Sequence, residues 1–394
     1  MRIIVIGAGV AGSATALALR HTGADVTVYE TYADPAGDIG SFISLATNGL
    51  RGLDALGCLP PIQRLGTALP RQRMWSASGR LLGDVPRGRL HDDPLHSVTL
   101  MRGALVETLR AAALDAGATI VTGQRLTTTT ETTGAVTADF HDGHRDSADL
   151  LVAADGIWST VRHALDPAAP QPRYAGLYCV SGVSGVSGAS GVEPGVFNMT
   201  FARNGAFIHL AAGDGTVWWS AQIADPERPT LDGVSGAEWL RRTAALYERE
   251  TTPSAVIAAT TATHPTVLTH TLGPVPTWHG GRTVLVGDAA HPVGAGQGAS
   301  MAVEDALALA AALRDRPASG VPEALAHYDA TRRPRVTKLL AAAKDNRDAK
   351  KAGPVARRAQ AAAMRLFLPL FYERSTAWLH GHDPAPLRSN RSVR

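Results

Sequence analysis

Residues 1–30, MRIIVIGAGVAGSATALALRHTGADVTVYE, restrict the possible folds more than any other stretch of the chain. Ile3 to Ile6 form an unbroken apolar run, the pattern of a strand covered on both faces. Gly7, Gly9 and Gly12 follow in the spacing G-x-G-x-x-G, with Ala8, Val10 and Ala11 between them. Gly7 permits a tight turn, Gly9 lets backbone approach a pyrophosphate, and Gly12 lets helix and strand pack closely. A helix is expected from Val10 to His21, its N-terminal amides and partial positive charge aimed at the phosphates. The next strand, DVTVYE, ends in Glu30, whose carboxylate can accept hydrogen bonds from both ribose hydroxyls of an adenosine. Glu30 would repel a 2′-phosphate, so this end of the chain suits FAD or NAD and disfavours NADP.

Two later stretches repeat the layout of strand, turn and helix. ADLLVAADGIWSTVRHAL (148–165) gives a strand ending in Asp155-Gly156, then a helical start with Ser159 as N-cap and Arg162 in the first turn. TVLVGDAAHPVGAGQGAS (283–300) gives a strand ending in Gly287-Asp288 and a glycine cluster that leads into a helix near Ala299. Gly296 and Gly298, with Gln297 and Ala299 beside them, lack the side chains that would keep a flat ligand from the backbone amides. A helix N-terminus there favours nearby negative charge by about 0.3–1 kcal/mol. A reduced flavin develops such charge at its pyrimidine end.

Gly7-x-Gly9-x-x-Gly12 with Glu30, then Asp155-Gly156, then Gly287-Asp288 with AAHPVGAGQG, resemble three fingerprints of one family. It is the single-component FAD-dependent aromatic hydroxylases, the p-hydroxybenzoate hydroxylase-like or class A flavoprotein monooxygenases. The resemblance spans about residues 1–340. It implies an α/β fold: a Rossmann-like FAD-binding domain of the GR2/PHBH type, an interleaved mixed β-sheet substrate domain and a C-terminal helical segment. Residues 1–70, 98–170 and 273–340 would form the first, 71–97 and 171–272 the second, and 341–394 the third. The repetition of the turn is then explained by ligand length: one turn holds adenosine and pyrophosphate, another holds the ribityl chain and ring. By the same resemblance Asp288 serves the ribityl and pyrophosphate region, and Asp155 and Gly156 support the pyrophosphate and the approach of the nicotinamide. Arg102 opens a helix near the phosphates, Leu126 lies against adenine, and Arg51 falls near the flavin side. Pro292 follows His291 directly, so the loop over the flavin is shorter than the family pattern by a few residues.

The implied reaction uses NADH or NADPH to reduce FAD and dioxygen to form a C4a-hydroperoxide, which hydroxylates a phenol or other small aromatic natural product. Epoxidation, Baeyer–Villiger oxygenation and oxidation without oxygen insertion stay open on the same fold. Halogenation is disfavoured, because no lysine precedes Lys338. A non-catalytic flavin-binding regulatory protein is the alternative of another class. No catalytic base and no separate NAD(P)H fingerprint is legible.

Between Pro172 and Gly273 the pattern changes to strands joined by turns at Arg203–Gly205 and Gly213–Gly215. Asn198, Phe201, Phe207, His209, Trp218, Trp219 and Gln222 are the candidates to wall a substrate pocket, of which alternation lets only every second one point inward. SGVSGVSGASG (181–191) reads as a flexible loop and a candidate lid, and TTTTETT (127–133) as an exposed hairpin. The histidines show no zinc pattern and no metal site is assigned; His291 reads as structural. Two cysteines in unrelated contexts, Cys58 and Cys179, suit a reducing cytoplasm. No signal peptide and no membrane span is read.

The net charge of +3 hides an excess in the tail, where 15 Lys/Arg face 4 Asp/Glu from Arg332 onward. No aromatic stripe is interleaved with these charges, so nucleic acid is not expected as a partner. The tail has helical periodicity with breaks at Pro354 and Pro369, and an apolar face that would dock on the FAD domain or on a second subunit. The sequence leaves the choice between monomer and homodimer open.

Overall fold

The computed structural model of the chain describes residues 1–34, 37, 41–186, 191–294, 296–350 and 353–384. Its centre is a five-stranded parallel sheet in the order Thr283–Leu285, Leu150–Ala153, Arg2–Ile6, Asp25–Tyr29, Thr119–Val121. The first three of these are the strands that end in the three turns. They come from three widely separated parts of the chain, yet they are hydrogen-bonded neighbours. At about 4.8 Å per strand their turns open within roughly 10 Å of one another along one sheet edge. Continuous apolar runs make this possible: Ile3, Ile4, Val5, Leu150, Leu151, Val152, Val284 and Leu285 are wholly buried. Helices Val10–His21 and Gly298–Leu313 pack together on the sheet, and Arg102–Asp115 packs against the first of them.

The second large sheet is mixed and eight-stranded. Its order is Thr260–Thr263, Arg173–Ser184, Val217–Ala224, Gly205–Ala211, Val196–Ala202, Arg71–Ser76, Leu81–Pro86, with Val267–Thr271 also paired to Arg173–Ser184. The hairpin turns fall at Arg203-Asn204 and at Gly213–Gly215, and Gly205, the first residue of the returning strand, has a φ of +134°. One face of the sheet is covered by helices Gly236–Tyr247 and Thr251–Ala258, with Tyr178, Phe207, Trp219, Trp239 and Tyr247 between them. The other face turns toward the glycine-rich loop after His291.

Two expectations change here. Ser181–Ser184 is the end of a twelve-residue strand, not loop, and Ser184 Oγ donates to the Val256 carbonyl at 2.6 Å. Ser187–Ser190, the middle of the candidate lid, lie outside the described residues. At the other end of the chain, helix Val321–Lys350 accommodates Pro334 in its interior. Helix Pro354–His380 begins with its proline at the first position and continues through position 369, so only the first expected break exists. The N–H that a proline removes is tolerable at a helix start, where it would have no partner within the helix. The last helix packs on strand Leu81–Pro86 and on helix Thr47–Ala55. Among the described residues no helix is long and apolar enough to cross a membrane.

Candidate active site

The first turn is tight enough to exclude side chains. Gly7 has φ +100°. A Cβ on Gly7 would lie 2.5 Å from the Ala154 carbonyl oxygen, and one on Gly12 would lie 1.8 Å from the Gly7 oxygen. Both are far inside contact distance. At Gly9 the nearest atom to an added Cβ is Arg102 Nη2 at 3.9 Å, so the guanidinium stands over the turn. Arg102 opens helix Arg102–Asp115. Burial lowers its pKa, opposed by the nearby charges of Asp288 and Glu30. Val10 and Ala11 begin the first helix, and Ala8 is buried beneath it.

Glu30 is buried and shapes the turn itself: Ala8 N donates to Oε2 at 2.7 Å and Tyr32 N donates to Oε1 at 2.8 Å. Gln124 N donates to the Glu30 carbonyl at 2.8 Å, which brings the segment leading to buried Leu126 beside the end of this strand. Hydrogen bonds to a charged acceptor contribute about 1.5–3 kcal/mol each. Glu30→Gln puts an NH2 opposite one of these amides, so FAD binding is expected to weaken by roughly 10–100-fold. Titration of the apoprotein with FAD, followed by flavin fluorescence, measures it, and an unchanged Kd would remove Glu30 from the cradle.

In the second turn Gly156 has φ +76°. Val161 N donates to Asp155 Oδ2 at 3.1 Å, while Asp155 Oδ1 is buried with no partner. Burial raises the pKa of this carboxyl, opposed by the Ser159 hydroxyl and the Val161 amide. Ser159 caps the short helix Thr160–Leu165, accepting from Arg162 N at 2.9 Å. Arg162 is wholly buried and donates to the Ala289 carbonyl at 2.9 Å and the Ile157 carbonyl at 2.6 Å. It thereby ties the second turn to the third, a role that its place in a helix start did not reveal.

In the third turn Gly287 has φ +57°, and a Cβ there would sit 2.8 Å from Ala11 Cβ on the first helix. Asp288 has surface open to the cleft although protein encloses it on every other side; this burial raises its pKa, and Asp305 raises it further, against His291 and Arg102. A Cβ on Gly298 would come within 4.0 Å of Asp288 Oδ1. Gly296 has φ +73°, Gln297 and Ala299 are buried, and Asn48 Nδ2 donates to Gln297 Oε1 at 3.3 Å.

Behind this turn lies a buried charge network that the sequence reading missed. Asp305 Oδ2 accepts from Gly287 N at 2.9 Å and from His291 Nε2 at 2.7 Å, and Oδ1 accepts from Arg332 Nε at 2.8 Å. Glu304 accepts from Arg332, from Arg335 and from Asn48 at 2.7–2.8 Å. Arg335 also donates to the carbonyls of Trp378 and Leu379 at 2.7 and 3.1 Å. The available signal was Glu304-Asp305, two adjacent acids inside an alanine-rich helix that is otherwise apolar. His291 is the structural residue expected. Among the described residues no group of His, Cys, Asp or Glu is arranged to hold a metal ion.

Beside Gly296 and Gln297 the cleft meets a cavity of about 450 Å³, walled by Met74, Met199 and Phe201 of the mixed sheet and closed by Tyr372, Thr376 and His380 of the last helix. A smaller one of about 190 Å³ lies against Pro292 and Gly294, with Gln222 in its wall. Of the sequence-read pocket candidates, Phe201 and Gln222 therefore face this side. Asn198, Phe207, His209 and Trp219 do not. The register pairs Asn198 with His209 and His209 with Trp219, which sets these three on the far face, and Phe207 and Trp219 are packed under the helices there. Trp75 Nε1 donates to Asn198 Oδ1 at 3.0 Å on that same face. Trp218 is the tryptophan on the near side, its ring stacked 6.1 Å from Phe42. Arg51 donates to the His380 carbonyl at 2.7 Å and pairs with Asp93, which ties it to the end of the last helix.

A dinucleotide fits these residues: a turn that admits no Cβ, an orphan carboxylate oxygen at Asp155, and a sixteen-residue helix starting at Gly298 beside the cavity. The comparisons agree. The family model described as FAD binding domain matches residues 1–343. A 3-amino-4-hydroxybenzoate 2-monooxygenase of Streptomyces cremeus is 31% identical over 86% of this chain and 85% of its own. An aurachin C monooxygenase/isomerase of Stigmatella aurantiaca is 28% identical over 86% and 87%. The crystal structure of Klebsiella pneumoniae HpxO complexed with FAD and uric acid superposes with a TM-score of 0.82 at 26% identity, covering 93% of each chain. The chain thus belongs to the FAD binding domain family, among the class A flavoprotein aromatic hydroxylases.

Proposed function

We propose that this chain hydroxylates a small, electron-rich aromatic molecule, taking electrons from NADH or NADPH and one oxygen atom from dioxygen. The observation that carries this reading is the position of residues 292–294 and 296–297. They follow Asp288 of the cofactor cleft in the chain, and Gly296 and Gln297 stand in the wall of a cavity large enough for a substituted ring. FAD, when bound, supplies the transfer of electrons from the nicotinamide and the activation of dioxygen. Gly7, Gly9 and Gly12 with Glu30, Arg102, Asp155 and Asp288 would hold it.

The rest is positioning by this chain. The start of helix Gly298–Leu313 favours negative charge at its end of the cleft. Met74, Met199 and Phe201 with the last helix keep water from the reacting ring. His380 is held neutral, its pKa pushed down to about 4 by burial and by the neighbouring Arg87 and Arg335. A neutral imidazole in the cavity wall can accept a hydrogen bond from a substrate hydroxyl. Relatives act by name on an aminohydroxybenzoate and on urate, rings already rich in electrons.

The test is incubation of the purified yellow protein with NAD(P)H, isotopically labelled dioxygen and a panel of phenols and hydroxylated heteroaromatics. The expected product carries one labelled oxygen atom. NAD(P)H consumption with release of hydrogen peroxide and no labelled product across the panel would overturn the reading.

A further inference from the structure

The mixed sheet borders a second cavity, on the face turned away from the flavin cleft. It holds about 500 Å³ and lies between the sheet and the start of helix Thr251–Ala258. Strand Val196–Ala202 gives Met199 and Phe201 to the 450 Å³ cavity and Asn198 and Thr200 to this one. The neighbouring strands keep that parity: Asn198 pairs with Arg73 and His209, and Thr200 with Trp75. The two cavities therefore stand back to back across the sheet, and among the described residues they share none.

The charges of this cavity are already matched. Arg73 pairs with Asp84 at 3.0 Å and with Glu193 at 2.6 Å, and Arg203 pairs with Glu250 at 3.1 Å. Arg249 stands at the surface, 3.8 Å from Glu248. A charged ligand would have to open one of these pairs to find its own partner. Two buried polar atoms remain unmatched. His209 is 4% exposed, and its Nδ1 has no partner among the described residues. Burial pushes its pKa down to about 4, so the ring is neutral and can both donate and accept. Glu250 is 2% exposed. Its Oε1 accepts from the Arg203 amide and guanidinium at 3.1 Å, while Oε2 has no partner among the described residues. A buried carboxylate oxygen left without a donor is costly, and an N–H or O–H satisfies it. The walls nearby are apolar. Half-buried Trp75 is held on the sheet side by its Nε1 donating to Asn198 Oδ1 at 3.0 Å, and Pro253 and Val256 face in from the helix. An aromatic wall with a few polar groups at one end suits a ring.

We propose that this cavity is a second small-molecule site, separate from the flavin, whose ligand is an uncharged aromatic ring carrying two or more hydroxyl or amino groups. One donor meets Glu250 Oε2, a second polar group meets His209, and the ring lies along Trp75. Hydroxylated aromatics and amino-substituted heterocycles share this chemistry. The site stands on its own face of the sheet and does not depend on which reaction the flavin side performs.

The experiment titrates the FAD-loaded protein by calorimetry with three uncharged naphthalenes: the vicinal diol, the vicinal diamine and the dimethyl ether of the diol. The diol or the diamine is expected to bind at least about 10-fold more tightly than the ether, the effect of one hydrogen bond to a charged oxygen. A tighter diol marks a hydroxylated ring as the ligand, and a tighter diamine marks an amino heterocycle. His209→Phe keeps a ring and removes an unmatched buried group. It should weaken the preferred compound by roughly 3–10-fold, leave the ether unchanged and leave the FAD content unchanged. Tryptophan fluorescence locates the ligand without that variant: the preferred compound should quench the wild type, and Trp75→Phe should reduce the quenching. Equal binding of all three compounds, no binding of diol or diamine at millimolar concentration, or a preference and a quenching that survive both variants would each overturn the proposal. None of these outcomes touches the proposed oxygenation, which labelled product decides.

Discussion

Gly12→Ala is expected to yield a folded but colourless protein. The added methyl would sit 1.8 Å from the Gly7 carbonyl oxygen and 3.3 Å from Ala154 Cβ. Neither the oxygen nor its strand can move alone, because Gly7 N is bonded to the Tyr29 carbonyl at 2.8 Å and Ala154 N to the Ile6 carbonyl at 2.8 Å. The helix Val10–His21 must therefore lift from the sheet at its first turn. That moves the amides of the turn out of the geometry in which they and Glu30 would meet a pyrophosphate. Gly134→Ala is the matched control, since nothing lies within 4 Å of a Cβ there and its backbone needs no special φ. Circular dichroism reports the fold, and the ratio of flavin to protein absorbance reports the cofactor. A loss of at least about 100-fold in FAD affinity follows if two charge-assisted contacts go, at roughly 1.5–3 kcal/mol each. A Gly12→Ala protein that purifies yellow with a full complement of flavin would show that the tight turn is not what holds it.

That prediction could have been made from residues 1–30, and the reason separates what a sequence shows from what it hides. Glycine is required at Gly7 and Gly12 by contacts within a few residues and by one neighbouring strand, so the local pattern carries the information. Adjacency of the three turns is a long-range fact. It depends on Leu150–Ala153 and Thr283–Leu285 joining Arg2–Ile6 in one sheet, and only the resemblance to a family announced it. In the mixed sheet the alternation was legible but its phase was not. Helices Gly236–Tyr247 and Thr251–Ala258 decide which parity is covered, and they claim Phe207 and Trp219. Ser181–Ser184 shows the opposite failure. Its Ser/Gly composition reads as loop, yet the strand is paired on both sides and its small residues are needed, since a Cβ on Gly182 would lie 2.5 Å from the Ala262 oxygen and 3.0 Å from the Trp219 ring. The charge network behind the third turn left little trace beyond Glu304-Asp305, because its partners His291, Arg332 and Arg335 meet these acids only once the chain is folded.

Arg332→Met is expected to destabilise the protein by about 3–5 kcal/mol, the cost of removing one member of a buried ion pair and leaving the others unmatched. Arg332 is 2% exposed, Glu304 1% and Asp305 0%, so water cannot replace the lost guanidinium. The effect should depend on pH in a definite direction. Burial alone would raise the pKa of Asp305, but His291, Arg332 and the Gly287 amide hold it down to about 2, below the ordinary aspartate range. A carboxyl depressed in the folded state contributes stability that is present above its unfolded pKa, near 4, and disappears as pH falls through the folded value. Glu304 is lowered as well, burial being overcome by Arg335 and Arg332, and acts in the same sense. With Arg332 gone both acids titrate nearer their unfolded values, so the stability deficit of the variant should be largest at neutral pH and should narrow as pH falls toward ~2. Denaturant melts between neutral pH and pH ~2 measure both effects. The variant should also bind FAD more weakly, because the same Asp305 oxygen that accepts from Gly287 N fixes the third turn, and Arg335 carries the network on to the carbonyls of Trp378 and Leu379 at the cavity's end. A variant within about 0.5 kcal/mol of the wild type at neutral pH, the range of an ordinary surface substitution, with the same pH dependence would mean that the network is ornamental and that the third turn is held by its glycines alone.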